Sequence, residues 1–303
     1  MSHGRTLVII NPTARHGITR SLVPVVASLL EGHIDHDTVL TEHPGHAAEI
    51  ASGSAQYDTV IAVGGDGTVH EVLNGLMRIP ASDRPILTVL PTGSGNDYRR
   101  TLGIPSDLTS AVRELLDGVR VRLDVGVVNG VYFANSIAIG LDARVTARAA
   151  EIKMSTGWSG LPLYLRALMY ILLRRFYSHP VVLSIDGSPP QAVEILLIAI
   201  TNGPTYGGGF RITPDAVPDD GLLDVCTIDR VGLGSALWRL PFVITGNHTQ
   251  MSPVKMGLHR SIRLESETPL EGQLDGEVML STVYDIHIEP SAVEVLVPRR
   301  WRP

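Results

Sequence analysis

The sequence predicts an α/β N-terminal domain, with a parallel sheet flanked by helices, followed by a mainly antiparallel β-sandwich C-terminal domain. Over the first 120 residues, short runs of Val, Ile and Leu alternate with helical patterns, as in parallel sheets whose strands are joined by helices. From about residue 122, short strand patterns follow one another with turn residues between them, as in a sandwich. We therefore expect two domains, 1–121 and 122–289.

The predicted elements follow in order along each domain. In the first domain, strands are predicted at 6–10, 37–41, 59–63 and 86–90, and helices near 18–31, 45–53, 69–78 and 106–117. In the second domain, strands are predicted at 121–128, 131–139, 181–185, 193–200, 222–228, 261–265 and 283–288. The apolar, β-branched run at 59–63 is typical of a strand that is buried on both faces of a sheet.

A glycine-rich loop with one carboxylate lies between this strand and the next predicted helix: Gly64, Gly65, Asp66, Gly67 and Thr68. Thr68 and Glu71 have the spacing of a capping box, so the helix should begin here and present its free N–H groups to an anion. Asp66 would repel a bound phosphate unless a cation lay between them, which indicates Mg²⁺. A plain strand-to-helix turn is the alternative.

A second glycine-rich loop follows the strand at 86–90 and contains Gly93, Ser94, Asn96 and Asp97. Ligands of open α/β sheets bind beyond the carboxyl ends of the strands, so both loops are expected to face one ligand. Ser94 and Asn96 offer neutral donors, and Asp97 offers a second carboxylate to a metal. Ordinary helix caps are the alternative for the last two residues.

Further motifs accompany the two loops, in a fixed order along the chain: Asn11-Pro12-Thr13, Glu71 with Asn74, Gly140-Leu141-Asp142, Asn202-Gly203, Gly207-Gly208-Gly209, Asp219-Asp220-Gly221-Leu222 and Gln273-Leu274-Asp275-Gly276-Glu277. With them, nearly the whole chain resembles the family of bacterial diacylglycerol kinases and related lipid kinases, which shares its catalytic domain with eukaryotic diacylglycerol and sphingosine kinases. The resemblance also implies that 290–303 return to the first domain.

The resemblance implies a set of nucleotide contacts in the first domain. Besides the two glycine loops and Glu71, they are Asn11, Pro12, Thr13, Ala14, Arg15 and Thr41. Ala14 and Arg15 stand where the family usually has a small residue and a glycine, and Arg15 offers a guanidinium fork to a phosphate instead. For Thr41, a helix cap is the alternative.

The resemblance implies the chemistry as well. Glu277 is expected to be the general base that takes the proton of the acceptor hydroxyl, and Asp275, Asp66 and Asp97 are expected to be the other catalytic acids. A solvated β-turn is the alternative for Asp275 and Glu277. A structural Mg²⁺ is expected at the Asp220 carboxylate, with the main-chain carbonyls of two further residues, Val217 and Leu222.

The sequence thus predicts an ATP- and Mg²⁺-dependent kinase that phosphorylates diacylglycerol or a related lipid in a cleft between two domains. The first alternative is a soluble-metabolite kinase of the NAD kinase type, which would share only the first loop. The second is a catalytically silent nucleotide- or lipid-binding protein, for which Ala14, Arg15 and His70, an asparagine position in the family, are the only support.

Composition and charge limit the partners. The 303 residues are 44% hydrophobic and 18% charged, as in ordinary globular proteins, and the net charge of −6 gives no general attraction to nucleic acid. The single cysteine, Cys226, lies in an apolar run and is expected in a core. The start of the chain shows a strand pattern and no secretory signal, so we expect a cytoplasmic protein.

The lipid substrate would be met at a membrane surface. The apolar run 161–173 is too short to span a bilayer, but the segment 144–177 combines apolar, aromatic and basic residues. Peripheral contact with an anionic bilayer and a packed core helix are both open interpretations of this segment. A homodimer is also an open possibility.

Overall fold

The structure is a computed structural model, and it describes residues 4–15, 17–158 and 160–302. The chain divides into two compact units: Met1–Val125 together with Pro290–Pro303, and Gly126–Glu289. It therefore has the two-domain architecture that the sequence predicts, and the last residues of the chain belong to the first unit.

In the described part of the first unit, the elements before residue 126 are four strands, five helices and the beginning of a fifth strand. They are β1 (Thr6–Ile10), α1 (Ile18–Leu30), β2 (His36–Leu40), α2 (His46–Ser52), β3 (Thr59–Gly64), α3 (Asp66–Leu76), β4 (Ile86–Pro91), α4 (Asp97–Thr101), α5 (Leu108–Leu116) and the start of β5 (Val119–Val128). The strands β2, β1, β3 and β4 pair in that order, and each pair is parallel.

Burial in this unit follows the strand order. Every residue of β1, β3 and β4 is buried, whereas β2 lies at the edge and is mostly exposed or half-buried. The end of the last strand of the chain adds to the other side of β4, where Val295 pairs in parallel with Leu87. The carboxyl ends of β1, β3 and β4 are therefore neighbours, which brings their three following loops to one edge of the sheet.

The described residues of the second unit form antiparallel strands and three helices. They are β6 (Val131–Phe133), β7 (Ser136–Gly140), α6 (Leu141–Thr156), α7 (Gly160–Arg174), β8 (His179–Ile185), β9 (Gln191–Thr201), β10 (Leu223–Asp229), α8 (Leu233–Thr245), β11 (Val254–His259), β12 (Ser261–Leu274) and most of β13 (Glu277–Val297). The order β11, β10, β9, β7, β12 and β13 is antiparallel at each step, and β8 pairs with β9 and β12.

Two apolar clusters form the core of this unit. On β9, Ile198 and Ile200 contribute to a cluster made of strand residues, while Leu197 and Ala199 contribute to a cluster that includes residues of α6, α7 and α8. This split follows from the alternation of side chains along a strand. Cys226 is buried in the helical cluster, and burial raises the pKa of its thiol to about 12, so it is an inert core residue.

The second unit differs from the prediction in three places. The strand predicted at 131–139 is two strands, because the backbone N–H groups of Ala134 and Asn135 bind a carboxylate instead of a neighbouring strand. The segment 144–177 holds parts of two helices, α6 and α7. The helix α8 was not predicted, because its nearly continuous apolar sequence gives no clear period.

None of the helices in the described part of the chain combines the length and the apolar character that crossing a membrane requires.

Candidate active site

The two glycine loops of the first unit pack directly against each other. A Cβ atom on Gly93 would lie 2.3 Å from the Cα of Gly65 and 2.7 Å from Oδ1 of Asn96, and one on Gly64 would lie 2.2 Å from Oγ1 of Thr68. The N–H of Gly93 also donates to the carbonyl of Gly64, at 3.1 Å. Glycine is required here because the loops touch, whether or not a phosphate approaches them.

The structure brings the carboxylates of Asp66 and Asp97 to the same glycine. A Cβ atom on Gly95 would lie 2.6 Å from Oδ2 of Asp66 and 3.9 Å from Oδ2 of Asp97. Asp66 is held by the N–H of Tyr98, which donates to its Oδ1 at 3.2 Å. Two carboxylate oxygens that face one small space are ligands of the kind that Mg²⁺ prefers, so these residues fit that ion.

Arg100 positions Asp97, and sequence reasoning missed it. Its Nη1 donates to Oδ1 of Asp97 and to the carbonyl of Gly95, both at 2.7 Å. Asp97 is only 7% exposed, so this charged hydrogen bond offsets much of the cost of burying the carboxylate. The i, i+3 spacing of Asp97 and Arg100 at a helix start was the signal in the sequence.

The predicted capping box of Thr68 and Glu71 is wrong. The helix α3 already begins at Asp66, with Gly65 as its N-cap, so Thr68 lies inside the helix. Glu71 is then directed at the start of α2, where its carboxylate accepts the N–H groups of Gly45 at 2.9 Å and of Ala47 at 3.2 Å. Its predicted contact with a nucleotide stays a prediction.

The turn after β1 is joined to the first glycine loop. Asn11 donates from Nδ2 to Oγ1 of Thr68 at 3.1 Å, and its Oδ1 accepts the N–H and the hydroxyl of Thr13. Arg15 has a φ of 51°, a conformation that favours glycine, which accounts for the glycine expected there from the resemblance. The neighbours Pro12 and Ala14 complete this turn.

Two more predicted nucleotide contacts have a defined local place. Thr41 follows β2 and is buried, and its N–H donates to the carbonyl of Ile10. The N-cap of α2 is Gly45, so the alternative of Thr41 as a helix cap is wrong. Asn96 closes the second loop by donating from Nδ2 to the carbonyl of Gly93 at 2.9 Å. Ser94 lies in the second loop, and Gly67 lies in the first turn of α3.

In the second unit, the turn between β12 and β13 separates a buried acid from an exposed one. The carboxylate of Asp275 accepts three backbone N–H groups, from Ala134 at 2.8 Å and from Asn135 and Ser136 at 3.0 Å each. Its charge is therefore stabilised without a metal. Glu277, the first residue of β13, is exposed. Asp275 therefore ties this turn to the backbone before and at the start of β7, and the predicted catalytic roles of Asp275 and Glu277 stay predictions.

The predicted structural metal site lies in an acidic loop of the second unit. Oδ1 of Asp220 accepts the N–H of Leu222 at 2.9 Å. Burial, together with the charges of Asp220 and Asp215, raises the pKa of Asp224 to about 7. Such crowding of carboxylates is what a bound cation would relieve, and it fits Mg²⁺.

Sequence reasoning named Asp220, Val217 and Leu222 at this loop but missed Asp224. Asp224 belongs to β10 and is 7% exposed. The sequence feature that could have identified Asp224 is an acidic residue inside an otherwise apolar strand, because an acidic side chain is rarely buried without a partner.

The comparisons with known proteins cover both units. Residues 5–128 match the diacylglycerol kinase catalytic domain, and residues 135–297 match the YegS C-terminal NAD kinase beta sandwich-like domain. Among curated relatives, the diacylglycerol kinase of Bacillus subtilis is 31% identical, over 90% of this chain and 92% of that protein. The diacylglycerol kinase of Staphylococcus saprophyticus is 29% identical, over 90% and 88%.

Solved structures agree with these relatives. A diacylglycerol kinase from Bacillus anthracis superposes with a TM-score of 0.80 at 26% identity, and covers 98% of both chains. An NAD kinase from Archaeoglobus fulgidus, solved in complex with ATP, has a TM-score of 0.52 at 15% identity over 98% and 94% of the two chains, which shows a shared fold alone. The chain therefore belongs to the diacylglycerol kinase family of lipid kinases.

Proposed function

We propose that this protein is an ATP- and Mg²⁺-dependent kinase that transfers the γ-phosphoryl group of ATP to the hydroxyl group of diacylglycerol or a related lipid. The observation that carries the lipid part of the proposal is an apolar cavity within the second unit. The cavity, taken together with the solvent at its open side, amounts to about 750 Å³ of space between the lining side chains.

The lining of this cavity suits hydrocarbon. It is formed by apolar side chains of α7 and α8, such as Leu168, Leu172 and Leu240, with a few polar groups that include Asp142 and His248. An acyl chain would bury its methylene groups there at a gain of about 0.8 kcal/mol for each one. The polar groups of NAD would lose their hydrogen bonds to water in the same cavity, which favours the lipid kinase over the NAD kinase alternative.

The first unit offers the nucleotide part. In the proposal, the phosphates lie against the loops of Gly64 and Gly93, where the positive end of the α3 dipole favours negative charge. Asp66 and Asp97 would hold the Mg²⁺, which supplies neutralisation of the phosphate charge when it is bound. Arg15 is the proposed cationic contact of the turn after β1.

The second unit offers the proton acceptor. Glu277 takes the proton of the acceptor hydroxyl as that oxygen forms its bond to the γ-phosphorus, and the bond from phosphorus to the β–γ bridging oxygen breaks. The buried carboxylate of Asp275 holds the backbone of the turn, so that Glu277 is presented at a fixed position.

The test is transfer of label from radioactive ATP, with Mg²⁺ present, to a panel of lipids in mixed micelles and to NAD in a parallel reaction. Labelled diacylglycerol, or another labelled lipid with a hydroxyl group, is expected. Labelled NAD without labelled lipid would establish the soluble-metabolite kinase instead. Bound ATP with no transfer to any acceptor would indicate a catalytically silent protein.

A further inference from the structure

Two long stretches of the second unit contain no acidic residue. Residues 152–185 and 230–264 hold no Asp or Glu, although the whole chain has 31 acids and a net charge of −6. The same stretches contain nine Lys and Arg residues. Three of these cations, Arg230, Lys255 and Arg263, pair with acids outside the two stretches. In the described part of the chain the other six have no ion pair, so they leave a local excess of positive charge that attracts an anionic partner.

Each stretch contains one helix that borders the apolar cavity. Leu168 and Leu172 of α7 line the cavity, and so do Ala236, Leu240 and Val243 of α8. These positions recur at intervals of three or four residues, so each helix turns one face to the cavity.

The same two helices expose large apolar side chains on faces other than the ones that line the cavity. Met169 is 38% and Leu173 is 60% exposed on α7, and Trp238 is 60% and Phe242 is 36% exposed on α8. We call these four residues the apolar rim. Apolar side chains gathered on the helices that border a cavity mark an interaction surface, because burial in the core does not account for them.

Arginine accompanies the exposed tryptophans of these stretches. The guanidinium of Arg239 lies 5.3 Å from the ring centroid of Trp238, and that of Arg166 lies 5.0 Å from the ring of Trp158. Within the described part of the chain, no ion pair engages Arg166 or Arg174. Tryptophan favours the level of lipid headgroups, and arginine binds their phosphates in a forked geometry.

We propose that the apolar rim is a docking surface for an anionic phospholipid bilayer, and that the lipid acceptor passes from the bilayer into the cavity between α7 and α8. The identity of the acceptor rests on the proposed function, whereas docking itself requires neither ATP nor turnover. A second copy of this chain fits the surface poorly. A symmetric contact would place each acid-free, basic patch against the same patch of its partner.

Tryptophan fluorescence tests the orientation of docking directly. One single-tryptophan protein keeps Trp238, with Trp158→Phe and Trp301→Phe, and the other keeps Trp301, with Trp158→Phe and Trp238→Phe. Trp301 is a matched reference, because it lies in the first unit and donates its indole N–H to the carbonyl of Thr101. Vesicles of phosphatidylglycerol and phosphatidylcholine with brominated acyl chains are added without ATP.

The bromine atoms are expected to quench Trp238 and to leave Trp301 unchanged. Equal quenching of the two tryptophans, or none of either, overturns the proposal. Vesicles of phosphatidylcholine alone are expected to bind at least about tenfold more weakly, since they do not attract the arginines as an anionic surface does. Equal binding to neutral vesicles contradicts the electrostatic argument on which the choice of partner depends.

A second variant links docking to turnover. Trp238→Ser combined with Phe242→Ser should bind anionic vesicles at least about tenfold more weakly, because the protein loses two exposed aromatic side chains that would enter the bilayer. Phosphorylation of a vesicle-embedded acceptor should fall to a similar extent, while that of a monomeric short-chain acceptor stays unchanged. Leu40→Ser, at an exposed edge-strand position of the first unit, is the control.

The two proposals fail in different ways. Quenching of Trp238 without phosphorylation of any lipid leaves docking in place and refutes the proposed function. Lipid phosphorylation by a protein whose double variant binds vesicles normally refutes docking and leaves the function in place. A dimer in solution that the double variant converts to a monomer, without vesicle binding by either protein, assigns the rim to a second copy and overturns the proposal.

Discussion

Glu277 is the residue on which the proposed proton transfer depends. The change Glu277→Gln keeps the size and the exposed position of the side chain but removes its basicity. We expect kcat to fall by roughly 10²- to 10⁴-fold, the usual contribution of a general base. Binding of ATP, measured by equilibrium dialysis, should stay within the experimental scatter of the unchanged protein.

The control for this prediction is Glu267→Gln, at an exposed glutamate of β12 with no proposed role. It should leave kcat and KM unchanged. Normal turnover by the Glu277→Gln protein would remove Glu277 as the base and return the turn to its alternative interpretation as a solvated β-turn.

Gly95 tests the proposed metal site by filling the space that Asp66 and Asp97 face. The backbone of Gly95 does not adopt the left-handed region, so Gly95→Ala adds a methyl group without backbone strain. That methyl group would lie 2.6 Å from Oδ2 of Asp66. We expect the Mg²⁺ concentration for half-maximal activity to rise at least about tenfold, because removal of one ligand contact costs of the order of 1.4 kcal/mol or more.

Gly53→Ala is the matched control, because its added Cβ would meet only the carbonyl of Ile50 at an ordinary 3.7 Å. It should leave the Mg²⁺ dependence unchanged. If both alanine variants require the same Mg²⁺ concentration as the original protein, the metal does not lie between Asp66 and Asp97.

At the scale of single elements, the acidic loop before β10 is expected to bind Mg²⁺ and to gain stability from it. A ligand that binds only the folded state raises its stability with concentration. A gain of about 1 kcal/mol corresponds to a rise in Tm of about 2–4 °C for a domain of the size of the second unit. Thermal unfolding in Mg²⁺ and in EDTA measures this rise in Tm. Asp220→Ala should remove this difference, and the exposed Asp83→Ala should retain it; a difference that persists in Asp220→Ala places the ion elsewhere.

The start of β8 carries a histidine that makes stability depend on pH. Burial, with the positive charge of Arg144 nearby, lowers the pKa of His179 to about 4, from an ordinary value of 6.5. As the pH falls from about 6.5 toward 4, the unfolded chain binds a proton that the folded chain rejects, so the free energy of unfolding decreases. Because the ring is half-buried, we expect a loss of about 1 kcal/mol.

Urea unfolding between pH 7 and pH 4.5 measures this loss. His179→Gln should reduce the decrease, because the glutamine does not titrate, whereas His287→Gln, at an exposed position of the same unit, should leave it as it is. A decrease of the same size in all three proteins would mean that other groups cause it.

Elements with a clear local sequence pattern were predictable. Contacts between segments that are distant along the chain were not. The apolar runs at β3 and β4 and the glycines after them gave the two loops directly. The partners of Glu71 lie at the start of α2, and those of Asp275 lie just before and at the start of β7, so no local spacing could reveal them. The sequence placed Asp66 and Asp97 together only through the rule that parallel strands end at one edge.

At the scale of the whole molecule, the first unit is built from two separate parts of the chain, and this was predictable only from the resemblance. The end of β13 belongs to the first unit, although the residues before it belong to the second. The sequence of this segment is typical of a strand, but its pattern does not indicate which sheet the strand joins. The residues that supply the last strand of the first unit therefore follow the whole second unit along the chain.

Truncation after Glu289 should consequently unfold the first unit. Val293, Val295 and Val297 are at most 1% exposed, and the carbonyl of Leu296 accepts the hydroxyl hydrogen bond of Thr88. Loss of three buried valines at roughly 1.5–3 kcal/mol each approaches the whole stability of a typical domain.

The control truncation ends at Pro298. It keeps all three valines and removes Arg299 and Arg300, whose exposed ion pairs with Asp117 and Glu114 contribute about 0–1 kcal/mol each, together with the Trp301 hydrogen bond. Urea unfolding and ATP binding distinguish the two proteins. The protein that ends at Glu289 should lose ATP binding and the unfolding transition of the first unit. The protein that ends at Pro298 should keep both. Retention of ATP binding by the protein that ends at Glu289 would show that the first unit folds without its last strand.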